Sequence, residues 1–349
     1  MPFTAEEVGN IANALIDYHM DRGKVFYQDI QNKPLLKYMR ANQKSFPGGK
    51  ENITVRVKGT HSVTGMGFTG DDQVTYGNPA NIKEATYSWK EYHNGIKVTL
   101  TELKKDGISV VDSANSKNTV EHTEREKVVL AGLLDDKIEE LGEGVDRDLN
   151  LIYWRDGTAD PLLPAGVRSF LLDSPTSATV VGGIDQSANS WWRNRVSLAL
   201  SVTTPSDMTI IKKMKSEDRL LRKFAMGGVK HIRLCGSAFM DALEAELYAK
   251  GQFTQTGWTG KGSLDIGQAD AALSGKVFEY DPTLDDEGLS KYCYVIDTKR
   301  IFPKVMDGED MKKHAPARPE DRYVMYRAVT WTGGVVCTQR NTSGVYSIV

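Results

Sequence analysis

Cysteine is scarce: the three present, Cys235, Cys293 and Cys337, lie far apart without paired spacing. That pattern argues against a disulfide framework or a zinc site and fits reduced thiols packed in a cytoplasm. Long apolar runs are missing as well. Runs such as Val196 to Val202 fall far short of the ~20 residues that span a bilayer. No basic start followed by an apolar stretch marks a secretory leader. An excess of one charge is also lacking, with 44 Lys and Arg against 46 Asp and Glu. A dedicated nucleic-acid binder needs basic excess to neutralise phosphate, so this balance argues against one. What remains is a globular composition, 40% hydrophobic over 349 residues, long enough for about two domains.

One stretch dominates. From Asn118 to Gly157 the apolar residues Leu130, Leu134, Ile138, Leu141, Val145, Leu149 and Ile152 recur in steps of three and four. That is the period of one helical face. Glu121 to Arg125 and Glu143 to Arg147 are acid-before-base pairs four apart, each worth roughly 0.2–0.5 kcal/mol. Asn118 is the expected N-cap, and Gly157 followed by Pro161 marks the stop. A rod of about 55 Å results, although Gly142-Glu143-Gly144 leaves a break open.

Before the rod, Thr4-Ala5-Glu6-Glu7 reads as a capping box opening a short helix through Val8, Ile11, Leu15 and Tyr18. Pro34 starts a second helix with Leu35, Leu36 and Met39, and Phe46-Pro47-Gly48-Gly49 breaks the chain. The pattern then turns to β. Ile53, Val55 and Val57 alternate with polar residues, as do 85–89 and 96–100, around a glycine-rich span from Gly59 to Asn81. A two-stranded excursion with a wide, flexible tip is expected, and a lone ribbon of that kind needs support from another surface.

After the rod, Leu162 to Val202 is rich in small residues and turns. Ser206 is expected to cap a helix carrying Ile210, Met214, Leu221 and Phe224, closed by Gly227-Gly228. A strand over 229–235 leads to a helix capped by Ser237 with Phe239, Leu243 and Leu247. Residues 277–280, 292–296 and the stretch from Tyr323 onward read as further strands, giving an α+β chain.

Motifs that invite chemistry have plainer readings. Gly65-Met66-Gly67-Phe68-Thr69-Gly70 matches a dinucleotide fingerprint, but Asp71 and Asp72 stand where phosphate would sit and no helical face follows. His231 and Cys235 share a strand face yet are far apart, which fits packed positions better than a catalytic pair or metal ligands. Asp135, Asp136, Glu139 and Glu140 form an acidic helix face, more often solvated than catalytic. Trp191-Trp192-Arg193-Asn194-Arg195 fits burial or a subunit contact better than base stacking. No catalytic residue, cofactor or metal is expected, and the chain is read as a non-enzyme.

The order of pieces resembles the major capsid proteins of tailed bacteriophages, the Hong Kong 97-like fold. Residues 85–92, Ala-Thr-Tyr-Ser-Trp-Lys-Glu-Tyr, look like that family's extended-loop strand. Val181-Gly182-Gly183-Ile184-Asp185 followed by Trp191-Trp192-Arg193-Asn194 looks like the opening of its axial domain. Ile232-Arg233-Leu234-Cys235-Gly236 and Thr338-Gln339-Arg340-Asn341 are similar too. The resemblance covers nearly the whole chain.

It implies an N-terminal arm over 1–50, an extended β loop over 51–104 and a peripheral domain with its spine helix over 105–165. An axial domain follows over 166–285, and 286–349 returns to the peripheral sheet. It further implies hexamers and pentamers closing an icosahedral shell around double-stranded DNA, in a virion assembled in the host cytoplasm without membrane association. A scaffolding protein, expected to be separate, or else cleaved off or omitted from this chain because no scaffold-like segment is seen before the arm, is an implied partner, together with a portal and decoration protein. Candidate subunit-contact residues are Val55, Val57, Phe68, Tyr87, Trp89, Tyr92, Trp191, Trp192 and Arg193. Hinges at Gly48-Gly49 and Lys105-Asp106-Gly107 are expected to fit one chain to several environments. Some members of that family cross-link a loop lysine to an asparagine near the C-terminus with the help of a carboxylate; Lys58 and Asn341 could be cast in those roles, but no acid follows Asn341, so that activity is not carried over. Alternatives are an encapsulin-type compartment shell, which shares the fold, and a nicotinamide-dependent oxidoreductase resting on Gly65–Gly70 alone.

Overall fold

The computed structural model describes residues 3–4, 31–60, 63, 65–77, 81–105, 110–111, 124–225, 227–249, 272–273, 276–314 and 324–349. The expected helix through Tyr18 lies outside them, as do Asn118, Glu121 and the hinge residues Asp106 and Gly107. The chain divides into two compact units, one of residues 1–31, 91–150 and 305–332, the other of 32–90, 151–304 and 333–349.

In the first unit, the strands Lys90–Thr99 and Lys312–His314 both pair with the long strand Val324–Cys337. Lys312 sits opposite Thr330 and His314 opposite Ala328. Gly95 lets the backbones close: a Cβ there would lie 3.0 Å from the Arg327 carbonyl oxygen. The alternation read in residues 96–100 therefore serves this sheet, not the two-stranded excursion.

The long helix runs from Glu124 to Trp154, 31 residues, or about 46 Å. It passes unbroken through Gly142-Glu143-Gly144, so the break left open by those glycines does not occur. Packing explains why. Ile138, Leu141, Val145 and Leu149 are all buried along one stripe, two of them flanking the glycines. Outward, Lys137 pairs with Glu102 at 2.7 Å, and the Tyr92 hydroxyl donates to Asp148 Oδ2 at 2.7 Å. Leu130 and Leu134 lie where side chains are outside the description.

The second unit is built on a five-stranded mixed sheet in the order Glu279–Tyr280, His231–Cys235, Tyr292–Asp297, Gly344–Ile348, Arg195–Leu200. The two outer pairings are parallel and the two inner ones antiparallel. The stretch after residue 286, expected in one sheet, is thus divided. Tyr292–Asp297 and Gly344–Ile348 join this sheet, while Ile301–Met306 pairs with Lys44–Phe46 and with Val324–Cys337. The helices Thr209–Arg222 and Ser237–Ala249 close one core with Ile210, Met214, Leu221, Phe239, Leu243, Val295 and Tyr346.

Three local expectations change. Ser206 does not cap the first of these helices. Its N-cap is Met208, in the left-handed region, and the Ile210 and Ile211 N–H groups donate to Glu246 at 2.9 Å each. A buried carboxylate from the next helix satisfies the orphan donors at a helix start. Phe224 lies beyond the helix end and is exposed, not on its apolar face. Residues 277–280 do not form one strand: Lys276–Val277 pairs with Ala272–Leu273, and Glu279–Tyr280 joins the main sheet.

Candidate functional site

The alternating stretches flanking the glycine-rich span form a two-stranded antiparallel ribbon, Asn52–Lys58 with Ile82–Ser88, in register from Asn52↔Ser88 to Lys58↔Ile82. Period-2 alternation sends Ile53, Val57 and Ala85 to one face, where they are buried, and Thr54, Arg56 and Lys58 outward. Under that face lies a second hairpin, Val180–Val181 with Ile184–Asp185. Gly182 and Gly183 both take positive φ, +60° and +78°, as a tight two-residue hairpin turn requires. The Thr86 N–H donates to the Gly182 carbonyl at 3.0 Å, and a side chain at Gly182 would meet the Tyr87 ring.

Behind the hairpin, Trp192 is 1% exposed and joins Val57, Ala85 and Ile184 in a small core, with Val55, Tyr87 and Trp191 at its margin. Trp192 Nε1 donates to the Val181 carbonyl at 3.0 Å. Arg193 donates to the carbonyls of Gln186 and Ser187. The Tyr87 hydroxyl donates to the Cys337 carbonyl at 2.8 Å, and burial pushes its pKa up.

At the centre sits a residue that the motif reading did not single out for a role. The Arg340 guanidinium is fully buried. Its Nε donates to the Phe170 carbonyl at 2.7 Å, Nη1 to the Trp192 carbonyl at 2.9 Å and Gln186 Oε1 at 3.0 Å, and Nη2 to Asn194 Oδ1 at 3.0 Å. Burial lowers its pKa to about 10. The only signal in sequence was its place in the run Thr338-Gln339-Arg340-Asn341.

The nine candidate contact residues thus fall into three groups. Val57, Trp192 and, in the first unit, Tyr92 are buried in their own chain. Val55, Tyr87, Trp191 and Arg193 are half-buried round the ribbon's support, and Trp89 is half-buried at the ribbon's base. Phe68 stands alone at the tip, 67% exposed. The ribbon strands therefore find support in their own chain, where a neighbouring copy was the other candidate. Among the described residues of the loop beyond them, Val63, Met66, Phe68, Val74 and Tyr76 are all exposed.

Residues 65–77 contain no helix, so Gly65–Gly70 lacks the helix N-terminus that binds a pyrophosphate. His231 Nε2 lies 2.8 Å from the Thr342 carbonyl oxygen. Cys235 is fully buried opposite Cys293, and desolvation raises its pKa, which holds the thiol protonated and unreactive. Among the described residues no group of three His, Cys, Asp or Glu side chains is placed to hold a metal.

No protein-family model and no curated protein matches this sequence. Solved structures do. A chain of the cyanophage A-1(L) capsid asymmetric unit superposes with a TM-score of 0.68 at 13% identity, covering 93% of this chain and 95% of its own. The capsid of cyanophage P-SCSP1u gives 0.55 at 9% identity, over 94% and 91%. The mature capsid of bacteriophage PhiM1 gives 0.53 at 10% identity, over 94% and 90%. The expected α+β fold of tailed-phage capsid subunits is the fold of this chain, matched over almost its full length.

Proposed function

We propose that the chain is a major capsid protein whose copies form hexamers and pentamers of an icosahedral shell around double-stranded DNA. One observation carries the reading: full-length likeness to capsid subunits in a chain whose ribbon ends in an uncovered apolar tip. Exposed apolar area is worth about 25 cal/mol per Å² when covered, and repetition of one contact around a shell sums modest terms. Contacts between unlike surfaces of identical chains close into rings. In this reading residues 1–50 form the arm, 51–104 the extended loop, 105–165 the peripheral domain with Glu124–Trp154 as its spine, and 166–285 the axial domain. Residues 286–349 complete the subunit. Its place is the virion, built in the host cytoplasm with a separate scaffolding protein, a portal and decoration protein, and without catalytic activity.

Electron microscopy and sedimentation of the full chain, alone and co-expressed with the scaffolding protein of its own phage, test the reading. Closed shells of uniform diameter with nuclease-protected DNA are expected from infected cells. A strictly monomeric or dimeric species under every condition refutes it. Shells that carry protein cargo and no DNA point to a compartment instead.

A further inference from the structure

Two of the three cysteines, far apart in sequence, meet in the five-stranded sheet of the second unit. The antiparallel register of His231–Cys235 with Tyr292–Asp297 sets Cys235 directly opposite Cys293. The Gly236 N–H donates to the Tyr292 carbonyl at 3.0 Å, while the Cys235 carbonyl turns the other way and accepts from the Asp281 N–H at 3.0 Å. Cys235 and Cys293 therefore occupy a non-hydrogen-bonded site of the ladder, where α carbons stand about 4.5 Å apart and side chains approach most closely. A disulfide needs α carbons about 4.4–6.8 Å apart and side chains that do not diverge. Both conditions are met here. The two side chains enter one core, with Ile210, Met214, Phe239 and Leu243, and the two thiols hydrogen-bond one another.

All three cysteines are free and buried. Desolvation raises the Cys235 pKa and the neighbouring Cys293 raises it further, with Arg233 on the same strand face opposing them. A small thiolate fraction slows attack to hours without forbidding it, and a reducing cytoplasm keeps such a pair as thiols. Cys337 ends the strand Val324–Cys337, which belongs to a different sheet. Three cysteines allow three pairings, and the register favours one.

We propose that Cys235 and Cys293 form a modification site, closed to a disulfide by a small oxidant of the peroxide class once the folded chain leaves a reducing cytoplasm. The inference rests on the sheet register and not on the shell reading. One sulfur attacks the peroxide O–O bond, giving a sulfenic acid and releasing a water. The second sulfur attacks the first, the S–S bond forms, and the sulfenic oxygen departs as a second water. Both thiol protons end in water. The two sulfurs together lose two electrons, and the peroxide takes them up. The bridge closes a loop of roughly sixty residues, which restrains the unfolded chain, and it fastens two adjacent strands of the sheet at the end where the helix Ser237–Ala249 begins.

Overnight treatment of the native full chain with hydrogen peroxide, then unfolding in N-ethylmaleimide and peptide mass spectrometry without reductant, tests the site. A peptide joining Cys235 to Cys293 within one chain is expected, two hydrogens lighter than its parts, with Cys337 alkylated. Alkylatable thiols fall from three to one. The unfolding temperature of the bridged chain is expected to rise by at least about 5 °C and to return on adding dithiothreitol. Cys337→Ala keeps the bridge. The decisive readout is on the unaltered chain, so a variant that misfolds does not blunt it. Three alkylated thiols after the treatment overturn the inference. So do bridges that include Cys337, bridges between chains, or sulfinic acid at Cys235 in place of the bridge.

Discussion

Replacing Arg340 by methionine gives the sharpest test of how the ribbon's support is held. The chain buries a full charge that, among the described residues, has no carboxylate partner. Two terms oppose each other. Holding the guanidinium charged with its pKa at about 10, down from 12.5, costs about 3 kcal/mol. The four hydrogen bonds to Phe170, Gln186, Trp192 and Asn194 are each worth about 1.5–3 kcal/mol, being made by a charged donor. The bonds win. Methionine removes the cost and the bonds together, and strands two backbone carbonyls in the interior, so a net loss of about 3–5 kcal/mol is expected. Lysine keeps the charge but not the planar fork that reaches four acceptors, and is expected to lose a similar amount. Urea unfolding of the unassembled subunit, followed by tryptophan fluorescence, measures the difference. A methionine variant within about 1 kcal/mol of the parent refutes the reasoning, since it would mean that the acceptors are satisfied without Arg340.

Other expectations follow the same logic. Glu246→Leu orphans the Ile210 and Ile211 N–H groups and is expected to cost about 2–4 kcal/mol, with Glu246→Gln milder because one acceptor survives; urea midpoints report both. Gly166→Ala brings a Cβ within 2.3 Å of the Tyr153 carbonyl oxygen and 2.4 Å of that of Ile152; the chain must shift where it folds back over the long helix's end, at about 2–3 kcal/mol. For Glu217, burial pushes the pKa up, but hydrogen bonds from Arg195 at 2.9 Å and Lys213 at 3.2 Å together hold it below 4.5. A carboxyl held low in the folded state stabilises above its unfolded value, and that contribution is lost as pH falls through the folded one. Stability is therefore expected to fall below pH 4.5, and Glu217→Gln to flatten that fall in urea titrations across the range. An unchanged slope rules out the ion pairs as its source.

What could be read from sequence was what repeats locally. The stripe Ile138, Leu141, Val145, Leu149 and the alternation of Ile53 and Val57 announce their elements because helical and strand periods are properties of neighbouring residues. Partners at long range were not legible. The strand Lys90–Thr99 alternates like the ribbon but pairs with Val324–Cys337, and nothing nearby in sequence distinguishes the two. The cap on Thr209–Arg222 comes from Glu246 on another helix, so Ser206 was the better local guess and the wrong atom. Arg340 draws its acceptors from residues 170–194, a convergence that only the folded chain reveals. The tryptophan pair announced burial or contact; the fold assigns Trp192 to burial, and Trp191 to the margin against Gly59.

The hairpin with its paired glycines has a mechanical corollary. By gripping Thr86 and Tyr87 it clamps the ribbon at its root, as a cantilever is clamped at a wall. In the proposed shell, five-membered and six-membered rings would demand different reach angles from identical parts, and a beam held firmly at the wall would keep its root the same in both.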